Sequence, residues 1–221
     1  MASTNLILPD AEVSSGPLRR ARRADAEVPW PSGWSAAQAL ITSRQNVSPR
    51  RLAEPAPSPE QLRSLLTLAA SAPDHGQLTP WRFVVVPGDK RALLAEAFAL
   101  ALIDRDPGAT LAQIEAAREK AYRAPLLVLA IAALSGGSEE ITATERLVSL
   151  GAAIQNVLLG AQAMGFGAGL TSGRSITSTR VRALFAVREG EEPVCFISMG
   201  TAGRLRERRE RPHADMFVTQ L

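Results

Sequence analysis

Few side chains in this sequence could perform chemistry unaided. The 221 residues include one cysteine, Cys195, and two histidines, His75 and His213. A single cysteine excludes a disulfide within the chain, and so small a set of Cys and His residues argues against a zinc site. Cys195 falls within an apolar stretch that predicts a buried strand, where a thiol packs as a small hydrophobe. The sequence therefore disfavours a histidine-centred triad or a cysteine nucleophile.

Three polar or glycine-rich segments lie where helices or strands are predicted to end. Arg44, in Ser43-Arg-Gln-Asn-Val47, could grip an anion because guanidinium matches phosphate oxygens in a bidentate way. The alternative is a helix-terminal Arg bonded to backbone carbonyls. His75 lies in a loop between a helix and a strand, and polar groups at such junctions often face ligands. The third segment, Gly165-Phe-Gly-Ala-Gly169, closes a helix and enters a strand.

The glycine-rich segment does not match a nucleotide-binding motif. A dinucleotide fingerprint leaves a strand and opens a helix, which is the reverse order. The following residues, 169–175, resemble a P-loop but lack its spacing and its lysine. There is also no G-x-S-x-G elbow and no carboxylate pair with acid/base spacing. The glycines are better explained by helix termination and close backbone packing.

The positive charge is concentrated near the C-terminus. The net charge of the chain is +3. Residues 204–211 hold five Arg and two Glu, so the positive and negative charges in the rest of the chain are equal in number. A nucleic-acid-binding domain usually shows a basic face with interleaved aromatic residues. The tail has no aromatic residue before Phe217, which favours a solvated or subunit-contacting tail and no nucleic-acid partner.

The composition, 46% apolar and 21% charged, is typical of a soluble globular domain. The N-terminus lacks the basic and apolar regions of a signal peptide, and the apolar stretch 124–134 is shorter than the roughly 20 residues of a membrane span. We expect a cytoplasmic protein with no membrane partner.

Helical and strand signals alternate over residues 35–200, which predicts an α/β or α+β domain. Residues 1–34 lack periodicity and are expected to form an extension or arm, partly disordered. Ser58 with Gln61 marks a helix start, and residues 141–164 predict a long, nearly enclosed helix. The other expected helices cover 35–43, 58–72, 89–103 (capped by Asp89), 110–122 and a segment that begins at Thr177 or Ser178 and ends near 186. The expected strands cover 82–87, 125–133, 169–172 and 193–200.

In order along the chain, several segments resemble landmarks of the FMN-dependent nitroreductase family, especially its small members. The resemblance covers roughly residues 35–221, and the complete order is more specific than any one segment. The segments are Arg44-Gln-Asn-Val47, Leu52-Ala-Glu-Pro-Ala-Pro57, Ala72-Pro-Asp-His75 with Pro80-Trp-Arg-Phe83, Gly165-Phe-Gly167 leading to Gly169-Leu-Thr-Ser172, and Met199-Gly-Thr201.

The resemblance implies an α+β fold. This is a three-layer α/β/α sandwich with a mixed central sheet flanked by helices, in an intertwined homodimer with FMN at the interface. Residues 35–221 would form the FMN-binding domain, ending in a tail that contacts the other subunit. Such an enzyme needs few titrating side chains because the cofactor carries the hydride chemistry.

The resemblance also implies the cofactor-binding residues, with no catalytic side chain and no metal. Arg44, Gln45 and Asn46 would hold the FMN phosphate and ribityl chain. Leu170, Thr171 and Ser172 would border the ring. Ser71, Pro73 and His75 would meet the flavin from the other subunit, with Ser71 one helical turn before His75. The tail would add a phosphate contact from Arg209 or Arg211, and Arg211 is the residue assigned.

The implied activity transfers hydride from NADH or NADPH through FMN to nitroaromatic or quinone-type acceptors. Gln45 and Asn46 stand where the family more often has Arg-Ser, and Thr79 replaces a usual Gln, so cofactor affinity and substrate choice are expected to differ. One alternative is a specialised reaction on the same fold, dehalogenation or flavin fragmentation, although residues 104–124 look short for the lid of such enzymes. Another is a binding module that uses the Arg-rich tail.

Overall fold

The computed structural model describes residues 31–203, 207 and 210–221. The predicted arm lies almost wholly outside the described residues, as do Arg209 and most of the Arg-rich stretch 204–211. The first described helix begins at Ser32, three residues before the expected position.

Six α-helices form within the described residues, and four of them begin at a Ser or Thr whose hydroxyl accepts a backbone N–H three residues later. Ser58 and Ser178 are such caps, as predicted. Asp89 is not, because residues 88–90 form a 3-10 turn and Lys90 takes the N-cap position. The helices are α1 (Ser32–Ser43), α2 (Pro59–Ala69), α3 (Arg91–Arg105), α4 (Leu111–Arg118), α5 (Ala143–Ala163) and α6 (Thr179–Leu184).

Five strands form one sheet in the order β1-β5-β3-β2, with β4 pairing to β5. The strands are β1 (Leu52–Ala53), β2 (Trp81–Val85), β3 (Leu126–Ala133), β4 (Gly167–Thr171) and β5 (Glu191–Ala202). All pairings between these strands are antiparallel. Among the described residues, the parallel component of the expected mixed sheet is limited to one isolated bridge, between Asn46 and Ala168.

Helices cover both faces of the sheet, which confirms the three-layer arrangement. Successive strand residues point to opposite faces, so β3 and β5 each contribute to two cores. Val128 and Ile197 pack with α2 and α5, whereas Leu129 and Phe196 pack with α3 and α6. The predicted α+β class is correct.

Helix α5 is less enclosed than its apolar sequence suggested. One face packs on the sheet, with Val157 and Ala161 fully buried. The opposite face leaves Leu147 41% and Val148 68% exposed, and Gly151 is exposed as well. A helix that is apolar on both faces and covered on only one has a surface available for a partner.

Two predicted element ends also differ from the structure. Helix α2 ends at Ala69 rather than near Ala72, and the chain continues through turn bonds such as Ala72 N to Ala69 O, 3.1 Å. Pro73 disfavours helical backbone at Ala72, the residue before it, but does not account for an end at Ala69. The expected helix 110–122 is likewise divided, into α4 and a 3-10 turn over Glu119–Tyr122.

Candidate functional site

The segment after α1 lies directly alongside β4. Val47 N donates to Ala168 O at 2.9 Å, and Leu170 N donates to Asn46 Oδ1 at 3.0 Å. A side chain at position 169 would collide with Val47 O, so only glycine allows this close approach. Two segments that the sequence analysis assigned to one site, 44–46 and 170–172, are therefore neighbours in a single chain.

The C-terminal tail returns to the same place. Arg211 Nη2 donates to the backbone oxygen of Arg44 at 3.1 Å. The guanidinium of Arg44 itself has no hydrogen bond or ion pair with any residue that the structure describes, so it is not bonded to backbone carbonyls. The Arg211 guanidinium thus lies beside the backbone of Arg44 at the end of α1.

A cavity of about 600 Å³ opens beside the last residues of β4. Leu170, Thr171 and Ser172 line one side, and aromatic residues of α3 and β5, Phe98 and Phe196, line another. The lining also includes four basic residues that the sequence analysis did not select: Arg105, Lys120, Arg123 and Arg174. Only Arg174 lies close in sequence to a predicted site segment, residues 170–172. The other three come from α3 and the region after α4, and their spacing in the sequence gives no sign that they meet.

The loop with His75 lies elsewhere in the chain. His75 Nδ1 is 3.3 Å from Glu145 Oε1, in the first turn of α5. The pKa of Glu145 is lowered by the backbone and hydroxyl of Thr142 and, to a smaller extent, by His75. Ser71, Pro73 and His75 are all exposed. The expectation that Ser71 and His75 share a helical face is wrong, because α2 ends before either residue.

The two groups of predicted site residues lie toward opposite ends of α5. Gln162 Nε2 donates to Ser43 Oγ at 3.4 Å, which places the Arg44 segment near the C-terminal end. His75 contacts Glu145 near the N-terminal end. At 1.5 Å per residue, Glu145 and Gln162 are roughly 25 Å apart along the helix. The structure therefore brings together Arg44, Asn46, Leu170 and Arg211, and separates them from the His75 loop.

Comparison with known proteins identifies the family of this chain. The model of the nitroreductase family matches residues 41–201. The chain belongs to the nitroreductase family. This confirms the family predicted from the sequence, and with it an oxidoreductase enzyme.

Curated members of the family resemble the chain over most of its length. A protein of Haemophilus influenzae named "Putative NAD(P)H nitroreductase" is 31% identical over 183 residues, 82% of this chain and 97% of that protein. An Escherichia coli K12 protein named "Putative NAD(P)H nitroreductase YdjA" is 35% identical over 165 residues, 73% of this chain and 86% of that protein.

Solved structures show the same fold. A nitroreductase-like protein from Bacillus cereus superposes with a TM-score of 0.73 at 19% identity, covering 89% of this chain and 99% of that one. The FMN-dependent nitroreductase NfnB of Mycobacterium smegmatis, solved with NADPH, superposes with a TM-score of 0.65 at 19% identity, covering 85% of this chain and 99% of that one. At this level of identity the likeness establishes the nitroreductase fold.

Other classes of site find no support in the part of the chain that the structure describes. Those residues contain no group of three or more His, Cys, Asp or Glu side chains placed to hold a metal ion. His213 lies in the tail, where its Nδ1 is 3.1 Å from Asp215 Oδ2. Among the same residues, no helix combines the length and apolarity needed to cross a membrane.

Proposed function

We propose that this nitroreductase is an FMN enzyme that uses NADH or NADPH to reduce nitroaromatic or quinone-type acceptors. Support for the donor comes from the names of the Haemophilus influenzae and Escherichia coli relatives. Support for the cofactor comes from the Mycobacterium smegmatis structure, described as FMN-dependent and holding NADPH. When bound, FMN takes up hydride and passes electrons on to the acceptor.

The observation that carries the proposal is the convergence of Arg44, Asn46, the end of β4 and Arg211. A flavin mononucleotide needs cationic donors for its phosphate and hydrogen-bonding groups along its polar edge. Arg44 and Arg211 meet the first need, because Arg211 bonds to the backbone of Arg44 while the Arg44 guanidinium stays unpaired within the described residues. The exposed residues 170–172 meet the second at the mouth of the cavity.

The protein's own groups would bind and orient rather than react. Asn46 Oδ1 accepts from Leu170 N, and this bond fixes the phosphate segment relative to the end of β4. The Thr171 hydroxyl is exposed at that end and is a source of protons, as is water. Gln45 is half-buried beside Arg44 and is assigned to the ribityl chain.

We further propose that the site is completed across a two-fold homodimer. His75, which contacts the N-terminal end of α5, is too far from Arg44 along that helix to surround the same ring within one chain. Ser71 and Pro73 precede it in the same connection between α2 and β2. Two α5 helices packed antiparallel would bring the N-terminal end of one beside the C-terminal end of the other. The exposed apolar face of Leu147, Val148 and Gly151 provides the surface for such packing.

The alternatives have weaker support. A specialised flavin reaction would need a substrate-covering lid, whereas α4 and the 3-10 turn after it pack against α3. The binding-module alternative depends on residues 204–211, most of which lie outside the described part of the chain. Deleting 204–211 discriminates: loss of flavin supports the enzyme, and loss of nucleic-acid binding alone supports the module.

Substituting Arg44 tests the proposed cofactor site. We expect Arg44→Gln to weaken FMN binding about tenfold or more, because a charge-assisted bond to the phosphate is lost. Fluorescence titration of FMN into the cofactor-free protein measures this. Arg188→Gln is the matched control, since Arg188 is exposed and its side chain makes no hydrogen bond among the described residues. Equal FMN affinity in both variants would place the phosphate elsewhere.

A further inference from the structure

The described lining of the cavity beside residues 170–172 carries positive charge and no negative charge. Arg105, Lys120, Arg123 and Arg174 line it, and no Asp or Glu among the described residues does. Within the described residues, none of these four side chains forms an ion pair or a hydrogen bond. By contrast, the arginines at 82, 118, 180 and 182 each contact a carboxylate.

Arg123 carries a partly desolvated charge with no hydrogen-bonded counterion among the described residues. The side chain is half-buried, and burial lowers the pKa of its guanidinium; the nearby charge of Arg50 lowers it further, against a smaller opposing effect of Glu119. A cation without a counterion in a partly desolvated position is stabilised when an anion binds next to it. The cavity is therefore suited to a negatively charged ligand.

A buried hydroxyl in the cavity wall supports the same conclusion. Ser198 is completely buried, and its Oγ has no hydrogen-bond partner in the part of the chain that the structure describes. Leaving a buried hydroxyl unsatisfied costs free energy, so such a group in a native protein needs an explanation. Because Ser198 borders the cavity, a ligand acceptor oxygen that displaces the atoms now covering its Oγ would satisfy it.

The remaining lining defines the body of the ligand. Phe98, Leu127 and Phe196 provide an apolar wall, and a volume of about 600 Å³ is typical of a small-molecule site. We propose that this cavity selects electron acceptors that join an aromatic body to an anionic group, such as an aromatic carboxylate. This inference rests on the proposed FMN function, because it assigns the substrate class of the same site.

Binding of non-reacting analogues tests the inference without turnover. Calorimetry on the FMN-loaded protein compares benzoate with its neutral isostere benzamide. Benzoate is expected to bind at least tenfold more tightly, and Arg174→Gln and Arg123→Gln are each expected to reduce this preference about tenfold. Arg188→Gln should leave the preference unchanged. Equal binding of the two analogues to the wild type, or an unchanged preference in both cavity variants, would overturn the inference.

Turnover provides a second comparison. The kcat/KM for 4-nitrobenzoate is divided by the kcat/KM for 4-nitrobenzamide in the wild type and in each variant. Because the two substrates differ in intrinsic reactivity by the same factor for every protein, a change in this ratio reports a change in selectivity. The ratio should fall in Arg174→Gln and Arg123→Gln, while FMN affinity and the KM values for NADH and NADPH remain at wild-type levels. If the variants bind FMN more weakly, Arg174 and Arg123 bind the cofactor. If only the KM for NADPH rises, these residues bind NADPH. Either result contradicts the inference.

Ser198→Ala distinguishes a ligand-binding role from a structural one. Removing an unpaired buried hydroxyl should leave the ligand-free melting temperature unchanged or higher, whereas benzoate affinity should fall severalfold. A lower melting temperature with unchanged benzoate affinity would contradict the assignment. A wild-type protein that prefers benzoate but holds no FMN would refute the proposed function and leave the anion site standing.

Discussion

Cys195 is the only thiol in the sequence, and its position explains why it takes no part in the proposed chemistry. The residue is buried in β5, and burial raises the pKa of its thiol to about 11. Since the thiolate is the reactive form, almost none is available at neutral pH.

We therefore expect Cys195→Ala to retain FMN and NAD(P)H oxidation while losing roughly 1 kcal/mol of unfolding free energy from the small cavity created. Steady-state kinetics and urea unfolding measure the two quantities. Ellman's reagent should label the native wild type slowly and the unfolded protein fast. Loss of turnover in a folded, FMN-loaded Cys195→Ala protein would contradict this assignment.

At the residue scale, the sequence revealed only those site residues that stand within contiguous segments. Arg44 and Asn46 could be selected because they follow a helix end, and the structure places them against β4. Lys120 and Arg123 could not, because their approach to Ser172 depends on how distant elements pack. Arg211 was implied by the family resemblance, and the structure shows the tail returning to Arg44.

At the element scale, the pairing of residues 46–47 with β4 depends on Gly169. A Cβ there would collide with Val47 O, which is backbone and cannot rotate away. Gly169→Ala is expected to separate the two segments, weaken FMN binding at least tenfold and cost about 2 kcal/mol of stability.

Gly88→Ala is the control for this substitution, because a Cβ at Gly88 meets nothing within 4 Å. FMN titration and thermal unfolding of both variants make the comparison. If Gly169→Ala binds FMN as tightly as Gly88→Ala, the contact between Asn46 and Leu170 does not organise the cofactor site.

The ion pair between β2 and β5 predicts an acid-dependent stability. Arg82 Nη2 lies 2.8 Å from Glu191 Oε2, and this hydrogen-bonded pair lowers the pKa of Glu191 to about 2. A depressed carboxyl pKa stabilises the folded state above the unfolded-state pKa, and this contribution is lost as pH falls from about 4.5 toward 2.

Glu191→Gln should therefore lower the unfolding free energy by roughly 2 kcal/mol at pH 7, after allowance for solvent screening. The difference from wild type should shrink as pH falls through that window. Urea unfolding at pH 7 and pH 3 measures it. A difference that is the same at both pH values would show that the charge of Glu191 is not its source.

Most elements could be predicted from local signals, and the exceptions have physical causes. Ser58 and Ser178 mark helix starts because their hydroxyls cap backbone N–H groups. Strand β1 has only two residues and forms through pairing with β5, so it carries no local pattern. The exposure of α5 was also unpredictable, since periodicity cannot tell a helix buried by its own chain from one buried by a second copy.

At the scale of the whole molecule, the exposed face of α5 predicts a dimer. Val148→Glu places a charge in that face, and we expect the protein to become largely monomeric and to lose FMN with it. Leu93→Glu is the matched control, because Leu93 on α3 is 53% exposed and lies on the other side of the sheet. Sedimentation velocity with simultaneous flavin absorbance measures mass and cofactor together. A monomeric Val148→Glu protein that keeps full FMN would contradict a site shared between subunits.

A bound flavin would supply the reactivity that the side chains of this protein lack. The visible absorbance spectrum of the purified protein tests this, after incubation with FMN and gel filtration, recorded before and after anaerobic addition of NADPH or NADH. We predict retained flavin absorbance that bleaches on addition of the dinucleotide and returns when a nitroaromatic or quinone is added. A colourless protein, or bound flavin that neither dinucleotide reduces, would contradict the account.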